Sequence, residues 1–231
     1  MKEITLVPDK RLASWGVRYL LFQLLILPYL LEWLLMTLNL SIDDCKFNVL
    51  YYTVNFAAVV GMFWRFLQAS ARHALENPGQ ILIPAAIGFL AYRLSSTVVD
   101  MGIYRLFPDF FNINDASIQT ISQGQLPIWA FGTIILVPPA EELLFRGAMF
   151  GSLYNRNKIL AWVVSVVGFC LLHIISYAGY YTWDVLLICA IQYLPAGICF
   201  AAAYRYSCNI FTPILMHVAT NIVAILTLVS M

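Results

Sequence analysis

Seven long apolar runs dominate this sequence and limit what the chain can fold into. Each run approaches the roughly 20 residues that a helix needs to cross a bilayer core, which is about 30 Å thick. Because 61% of the 231 residues are hydrophobic and only 11% are charged, a soluble core could not bury so much apolar surface. The runs are Tyr19–Leu38, Phe47–Leu67, Ile81–Val99, Leu126–Tyr154, Ile159–Ile175, Val185–Tyr204 and Ile210–Ser230. We predict an all-α protein, a polytopic transmembrane helix bundle of about seven spans.

Three parts can be distinguished along the chain. Residues 1–18 predict a polar N-terminal arm on the cytoplasmic side, and residues 19–125 hold three transmembrane helices followed by a long outer connection. That connection, Asp100–Gln125, is long enough to include a partly inserted segment. Residues 126–231 hold the remaining four runs, and we expect them to form the functional core.

Basic residues predict the orientation of the bundle, since cytoplasmic loops carry an excess of Lys and Arg. If the N-terminus is inside, nine of the thirteen basic residues lie on the inner side, and only Lys46 and Arg105 lie on the outer side. We therefore predict an N-terminus inside and a C-terminus outside, in a multi-pass protein of a bacterial-type inner (cytoplasmic) membrane. The net charge of +1 gives no electrostatic basis for binding nucleic acid.

The fourth run, Leu126–Tyr154, is too long for one straight span and contains two prolines. Its 29 residues would make a helix about 43 Å long. Pro138 and Pro139 each lack an N–H group and clash with the preceding turn, so the sequence predicts a break there. A helix restarting near Pro139 would place Glu141 and Glu142 in its first turn, where free N–H groups favour negative charge.

The charged residues of this run differ in their expected partners. Glu142 and Arg146 are four residues apart on one helix face, in the favourable order of acid before base. An architectural ion pair is the plainer interpretation of these two residues. Glu141 points about 100° away and has no partner in its own segment. An unpaired carboxylate at membrane depth is a functional candidate.

Two histidines and an asparagine in later runs complete a candidate site. Taken singly, His173 could be an interfacial or satisfied core residue, and His217 and Asn221 could be hydrogen-bonded between helices. Their depths in the membrane, however, favour one shared functional site over separate structural roles. Counted from the nearest basic residue at the inner flank, Glu141, His173 and His217 lie about 22, 22 and 18 Å along their segments. Three segments thus bring a carboxylate and two imidazoles to a similar depth.

This set of groups is sufficient for hydrolysis by either of two routes. A carboxylate in an apolar cavity can act as general base on water, an imidazole can orient the water, and His and Asn side chains can donate to an oxyanion. Two histidines and a carboxylate are also the ligands of a hydrolytic zinc ion, with water in the fourth place. Since no HExxH helix is present, the sequence leaves both routes open.

Three short motifs give the chain a family resemblance. "EELLFR" (Glu141–Arg146) matches EExxxR, "FCLLH" (Phe169–His173) matches FxxxH, and "HVATN" (His217–Asn221) matches HxxxN. In this order and on successive apolar segments, they resemble the CPBP family of CaaX proteases and bacteriocin-processing proteins, also called Abi proteins. The chain is similar to the type II CaaX prenyl-protease over residues 126–231.

The resemblance implies an intramembrane endopeptidase that hydrolyses a peptide bond in a membrane-associated protein or peptide, lipidated or not. Glu141 would activate water, His173 would assist it, and His217 with Asn221 would stabilise the oxyanion. Supporting roles would fall to Glu142 and Arg146, which organise the first motif, and to Phe169, which packs against the site. The implied mechanism needs no cofactor. Zinc held by Glu141, His173 and His217 is the alternative.

Two other functions fit the same residues. Some members of this family are known only as bacteriocin-immunity or scaffold proteins, so a non-catalytic membrane protein is one alternative. A proton-coupled transporter is another, because Glu141 and the histidines could form a proton relay. The first three runs show no counterpart of the later motif-bearing runs, and inverted repeats are therefore not apparent.

Overall fold

The computed structural model describes residues 4–122 and 124–230, and within these ranges the secondary structure is helical, without strands apart from one isolated bridge. The helices, numbered here along the chain, are α1 (Lys10–Leu25), α2 (Leu27–Thr37), α3 (Asp44–Met62), α4 (Trp64–Glu76), α5 (Pro78–Leu106), α6 (Ile113–Ser122), α7 (Leu126–Tyr154), α8 (Lys158–Leu172), α9 (Trp183–Ser207) and α10 (Phe211–Ser230).

The predicted all-α polytopic bundle is confirmed, with fewer full spans than the seven expected. In the described ranges, four helices are long and apolar enough to cross a membrane alone: α5, α7, α9 and α10. The pairs α1–α2 and α3–α4 raise the number to six if each bent pair counts as one span. The predicted fifth run forms α8, which is apolar but has only 15 residues. At about 22 Å it is shorter than a bilayer core.

The first two spans are bent, which the apolar pattern did not indicate. Helix α1 begins at Lys10, before the predicted start at Tyr19, because the Asp9 carboxylate caps it by accepting the N–H of Leu12. The chain turns by 53° between α1 and α2, where Pro28 stands in the first turn of the second helix. A larger bend of 77° separates α3 from α4.

Two predicted connections are largely helical. The stretch expected to link the second and third spans lies mostly within α4, which is amphipathic. The connection Asp100–Gln125 includes the end of α5 and all of α6. The side chain of Asn112 begins α6 by accepting the N–H groups of Asn114 and Asp115. In each segment, most backbone N–H and C=O groups are therefore paired by hydrogen bonds within a helix.

The prolines of α7 widen the helix instead of breaking it. Residues Gly132–Leu136 and Leu143–Gly151 adopt π-helical winding on either side of a short α-helical segment, Val137–Glu142. The N–H of Val137 bonds the carbonyl of Gly132, five residues back. The predicted break near Pro139 was therefore wrong, and Glu141 and Glu142 end the short segment rather than opening a new helix.

Helix α7 is the centre of the bundle. Half of its most apolar window is buried inside the protein, against 11–39% for the other three full-length spans. Helices α1, α3, α8 and α10 all pack against it. The N-terminal segment closes one end, where Asn155 bonds both backbone groups of Ile4 and the Tyr204 hydroxyl donates to the carbonyl of Leu6. Side chains on α7 can thus meet residues from several other helices.

Candidate active site

The four residues predicted to carry the reaction line one cavity of about 1500 Å³. Glu141 comes from α7, His173 follows the last residue of α8, and His217 and Asn221 lie one turn apart on α10. The cavity is larger than the 300–1,000 Å³ typical of small-molecule sites. It has room for an extended peptide segment.

Glu141 faces this cavity from the same side of α7 as Thr133 and Val137, which precede it at spacings of four residues. Its Oε2 atom is buried and has no hydrogen-bond partner within the described residues. A buried carboxylate oxygen without a donor retains its full capacity to accept a proton or a hydrogen bond.

Glu142 lies behind the cavity wall and joins two of the predicted residues. Its Oε1 is 3.1 Å from Nη1 of Arg146 and 2.9 Å from Nδ1 of His217, and the side chains of Glu142 and Arg146 are fully buried. Because an ionised carboxylate only accepts hydrogen bonds, the His217 Nδ1 must be the donor. The Nε2 atom is then the ring nitrogen left for the cavity.

Arg146 is enclosed by backbone and aromatic rings. Its Nη2 donates to the carbonyl of Gly197 at 3.2 Å on α9, near Pro195. The guanidinium carbon lies 4.3 Å from the ring centre of Phe169 and 5.4 Å from that of Phe200. These contacts combine a charge-assisted hydrogen bond with cation–π interactions, which together hold a cation in an apolar interior.

Phe169 and His173 are placed one turn apart. The His173 Nδ1 is 2.9 Å from the carbonyl oxygen of Phe169, which can only accept, so Nδ1 carries the hydrogen. Neutral His173 therefore has a bare Nε2. The ring centre of Phe169 lies 4.7 Å from that of His173 and 6.0 Å from that of His217. Phe169 thus lies close to both imidazole rings.

Asn221 bonds a carbonyl that a proline leaves free. The carbonyl of Thr133 would bond residue 137 in an α-helix or residue 138 in a π-helix. The N–H of Val137 is used by Gly132, and Pro138 has none. The Asn221 Nδ2 donates to the Thr133 oxygen at 2.7 Å. One of its two N–H bonds is thereby used, and the other is not needed by this contact.

Comparison with known proteins agrees with the motifs. The model of Rce1-like proteins, type II CAAX prenyl endopeptidases, matches residues 123–223, which include all three motifs. The match covers less than half of the 231 residues, and over this part the chain is similar to CAAX proteases. The membrane-embedded CAAX protease MroQ of Staphylococcus aureus (strain USA300) is 24% identical over 151 residues. That alignment covers 64% of this chain but only 58% of MroQ, and no solved structure gives a significant match.

Candidate metal ligands are not grouped in the part of the chain that the structure describes. Nowhere in residues 4–122 and 124–230 do three or more His, Cys, Asp or Glu side chains converge closely enough to hold an ion. His173 and His217 each use Nδ1 on a protein oxygen, and their remaining nitrogens and Glu141 are not brought together as a ligand set. The zinc set proposed from the sequence does not fit this geometry.

The sequence analysis missed several polar residues that line the cavity. Tyr193 is the most notable, since its ring is stacked on His173 with centres 4.2 Å apart and planes 25° apart. A polar pair, Gln192–Tyr193, just before Pro195 in an apolar helix was the available signal. Asn112, Asp115 and Thr133 also line the cavity. Asp115 is accessible from the cavity, and desolvation by the surrounding walls, with the nearby Asp100 charge, raises its pKa to about 6.

Proposed function

We propose that the protein is an intramembrane endopeptidase of the CPBP/CAAX-protease type, hydrolysing a peptide bond in a membrane-associated protein or peptide. The observation that carries this proposal is that Glu141, His173, His217 and Asn221, from three helical segments, line one cavity. Similarity to CAAX proteases supports a hydrolytic rather than a transport role.

In this proposal Glu141 activates the attacking water. Its Oε2 atom, which no protein donor occupies among the described residues, accepts a proton as the water oxygen bonds the scissile carbonyl carbon. His173 orients the water through its bare Nε2. When the tetrahedral intermediate collapses, the C–N bond breaks and the proton held by Glu141 passes to the leaving amine nitrogen. Each proton taken from water is thus returned to a product.

The oxyanion of the intermediate would be stabilised from α10. His217 presents Nε2 to the cavity because Glu142 holds its Nδ1, and it donates to the oxyanion when Nε2 carries a hydrogen. Asn221 contributes the N–H bond that Thr133 does not use. Donors fixed in this way need no reorganisation as charge develops, and losing one costs about 10²–10³ in kcat.

The cavity walls support a substrate that arrives from the bilayer. Apolar residues of α1 (Leu21, Leu25) and of α10 (Ile225, Leu228) line the same cavity as the candidate site. We propose a peptide or small membrane protein as substrate, with lipidated forms included, and no nucleic acid. The inside position of the N-terminus and location in a bacterial-type inner membrane belong to the same proposal.

Cleavage by the purified protein tests this function. The full chain in detergent would be given fluorogenic peptides ending in a farnesylated Cys-aliphatic-aliphatic-X sequence, and unprenylated forms of the same peptides. Mass spectrometry would identify the products. We expect Glu141→Gln to abolish cleavage, and Glu76→Gln, at an exposed position on α4, to leave it unchanged. Equal cleavage by Glu141→Gln would rule out the proposed role of this carboxylate.

Two further measurements separate the alternatives. Activity that survives strong chelation removes zinc, whereas loss on chelation and recovery on zinc addition would establish a metalloendopeptidase. If Glu141→Gln retains the full cellular function of the protein, a bacteriocin-immunity or scaffold role replaces catalysis. Proton uptake by proteoliposomes would identify a proton-coupled transporter.

A further inference from the structure

His173 occupies a position that its own helix does not hold firmly. It is the first residue beyond α8, and helix ends fray because their last backbone groups lack partners. One hydrogen bond, from Nδ1 to the carbonyl of Phe169, fixes one edge of the ring. A ring held at one point can still tilt about that bond. Something else must set the direction of Nε2.

The Tyr193 ring supplies the second constraint. It stacks on His173 at 4.2 Å between centres, and Phe169 packs at 4.7 Å with its plane tilted by 53°. Tyr193 belongs to α9, whereas Phe169 belongs to α8, the helix that His173 directly follows. The stack therefore ties the end of α8 to a separate and longer helix.

A buried asparagine holds the Tyr193 hydroxyl in turn. Asn112 is 7% exposed, and its Oδ1 accepts the N–H of Asn114 at 2.9 Å and that of Asp115 at 3.2 Å. The hydroxyl of Tyr193 donates to the same oxygen at 3.4 Å. Because this Oδ1 caps α6, its position is set by the backbone of the connection between α5 and α6.

The hydrogen bonds continue in one direction to a carboxylate. Asn112 Nδ2 donates to Gln192 Oε1 at 2.8 Å, and Gln192 Nε2 donates to Asp100 Oδ1 at 2.9 Å. An ionised carboxylate only accepts, so Asp100 fixes which way both amides point. The hydrogen bonds of such a chain polarise one another, and the Tyr193 hydroxyl is the donor at the end opposite Asp100. The face of the Tyr193 ring becomes richer in electrons as a result.

We propose that Tyr193, held by Asn112, is a positioning residue that sets the orientation of the His173 ring. This inference rests on the proposed function. The stack directs Nε2 into the cavity, where it can accept a hydrogen bond from the attacking water and orient it. The α5–α6 connection thereby takes part in the reaction without touching substrate.

Kinetic constants separate positioning from substrate binding. With the peptide that the wild-type protein cleaves best, we expect Tyr193→Leu to lower kcat by about 10- to 100-fold and to change KM by less than about twofold. Tyr193→Phe keeps the stack and should retain most of the rate, and Asn112→Ala should fall between them. Tyr181→Phe is the matched control, because Tyr181 contacts the Tyr177 ring and does not line the cavity.

Histidine NMR gives a readout that does not need cleavage. The chain has three histidines, so spectra of histidine-labelled protein can be assigned with His73→Gln and His173→Gln. Ring current from Tyr193 should shield the His173 ring protons. We expect Tyr193→Leu to remove this shielding, Tyr193→Phe to keep it, and Asn112→Ala to broaden or move the signal, with the His217 signal unchanged.

The two readouts separate failure of this inference from failure of the proposed function. Loss of shielding in Tyr193→Leu in a protein that cleaves no peptide would support the positioning and contradict the protease. Normal kcat and an unmoved His173 signal in both Tyr193→Leu and Asn112→Ala would overturn the positioning alone. A KM increase at unchanged kcat would also overturn it, because Tyr193 would then bind substrate.

Discussion

His217 donates from Nδ1 to the carboxylate of Glu142 across a distance of 2.9 Å, which joins α10 to α7 in the buried centre of the bundle. Arg146 reaches the same carboxylate oxygen from one turn along α7. The EExxxR and HxxxN motifs are therefore one physical unit. Residue 141 of the first motif faces the cavity, whereas residue 142 holds the histidine of the last motif.

Glu141 and Glu142 should respond differently to the same substitution. Glu142→Gln leaves the buried Arg146 without a counter-charge, which typically costs about 3–5 kcal/mol of stability. Glu141→Gln removes no observed hydrogen bond from its buried oxygen, so the stability should change by less than about 1 kcal/mol. Thermal unfolding in detergent, followed by tryptophan fluorescence, measures both. Similar melting temperatures for the two variants would contradict the structural role of Glu142.

A double mutant should separate the two roles of Asn221. Asn221→Ala leaves the Thr133 carbonyl without its donor, costing about 1–3 kcal/mol, and should also lower kcat by about 10²–10³. Pro138→Ala restores an N–H that can reach this carbonyl.

The expected outcome for Pro138→Ala combined with Asn221→Ala is restored thermal stability with kcat still low. The Pro138→Ala single variant is the control. If the double variant recovers the rate as well, Asn221 acts only through the backbone of α7.

The close approach of α1 to α7 can be tested at Gly16. A Cβ atom there would lie 2.8 Å from Ala148 Cβ and 2.8 Å from Phe63 Cζ, which is closer than packed carbon atoms come. Ala148 has no rotamer to change and Phe63 is fully buried, so Gly16→Ala should cost about 1–3 kcal/mol. At Gly102 an added Cβ meets nothing within 4 Å, and Gly102→Ala should be neutral or stabilising by up to about 1 kcal/mol. Equal melting temperatures would argue against this helix contact.

Asp115 should make stability depend on pH. Its pKa is raised from 3.8 to about 6, first by burial and then by Asp100, so the folded protein holds the charged form at a cost. This destabilisation of the folded state is largest above about pH 6 and decreases as the pH falls. It is absent below pH 3.8, where Asp115 is neutral in both the folded and the unfolded state. Asp115→Asn should therefore melt higher than the wild-type protein at pH 7–8 and at the same temperature at pH 3.5. A gain that is constant across this range would exclude titration of Asp115 as its source.

The helical bundle could be predicted from sequence because long apolar runs form membrane-spanning helices, whereas the depth of the site stays a prediction. Counting residues from the basic flanks was enough to bring Glu141, His173 and His217 to a common level, and all three line one cavity. The angle of each helix about its axis is not set by local sequence. The pairing of Glu142 with His217 was therefore missed, although Glu142 with Arg146 was predicted.

Features that depend on distant partners also escaped prediction. Two prolines in succession locally predict a broken helix, yet α7 continues because its turns widen and Asn221, 88 residues away from Thr133, supplies a donor. Asn112 and Gln192 are 80 residues apart, and nothing in either segment alone indicates their contact. The catalytic roles themselves, and the inside position of the N-terminus, stay predictions.

The anchoring of the N-terminal segment has a consequence for biosynthesis. Ile4 is bonded by Asn155 and Leu6 by Tyr204, across separations of 151 and 198 residues. At a translation rate of about 5–20 residues per second, the hydroxyl that fastens Leu6 emerges on the order of 10–40 s after Leu6 itself. The segment around Leu6 is therefore fixed long after its own synthesis, and until then this end of the bundle is open to chaperones and proteases.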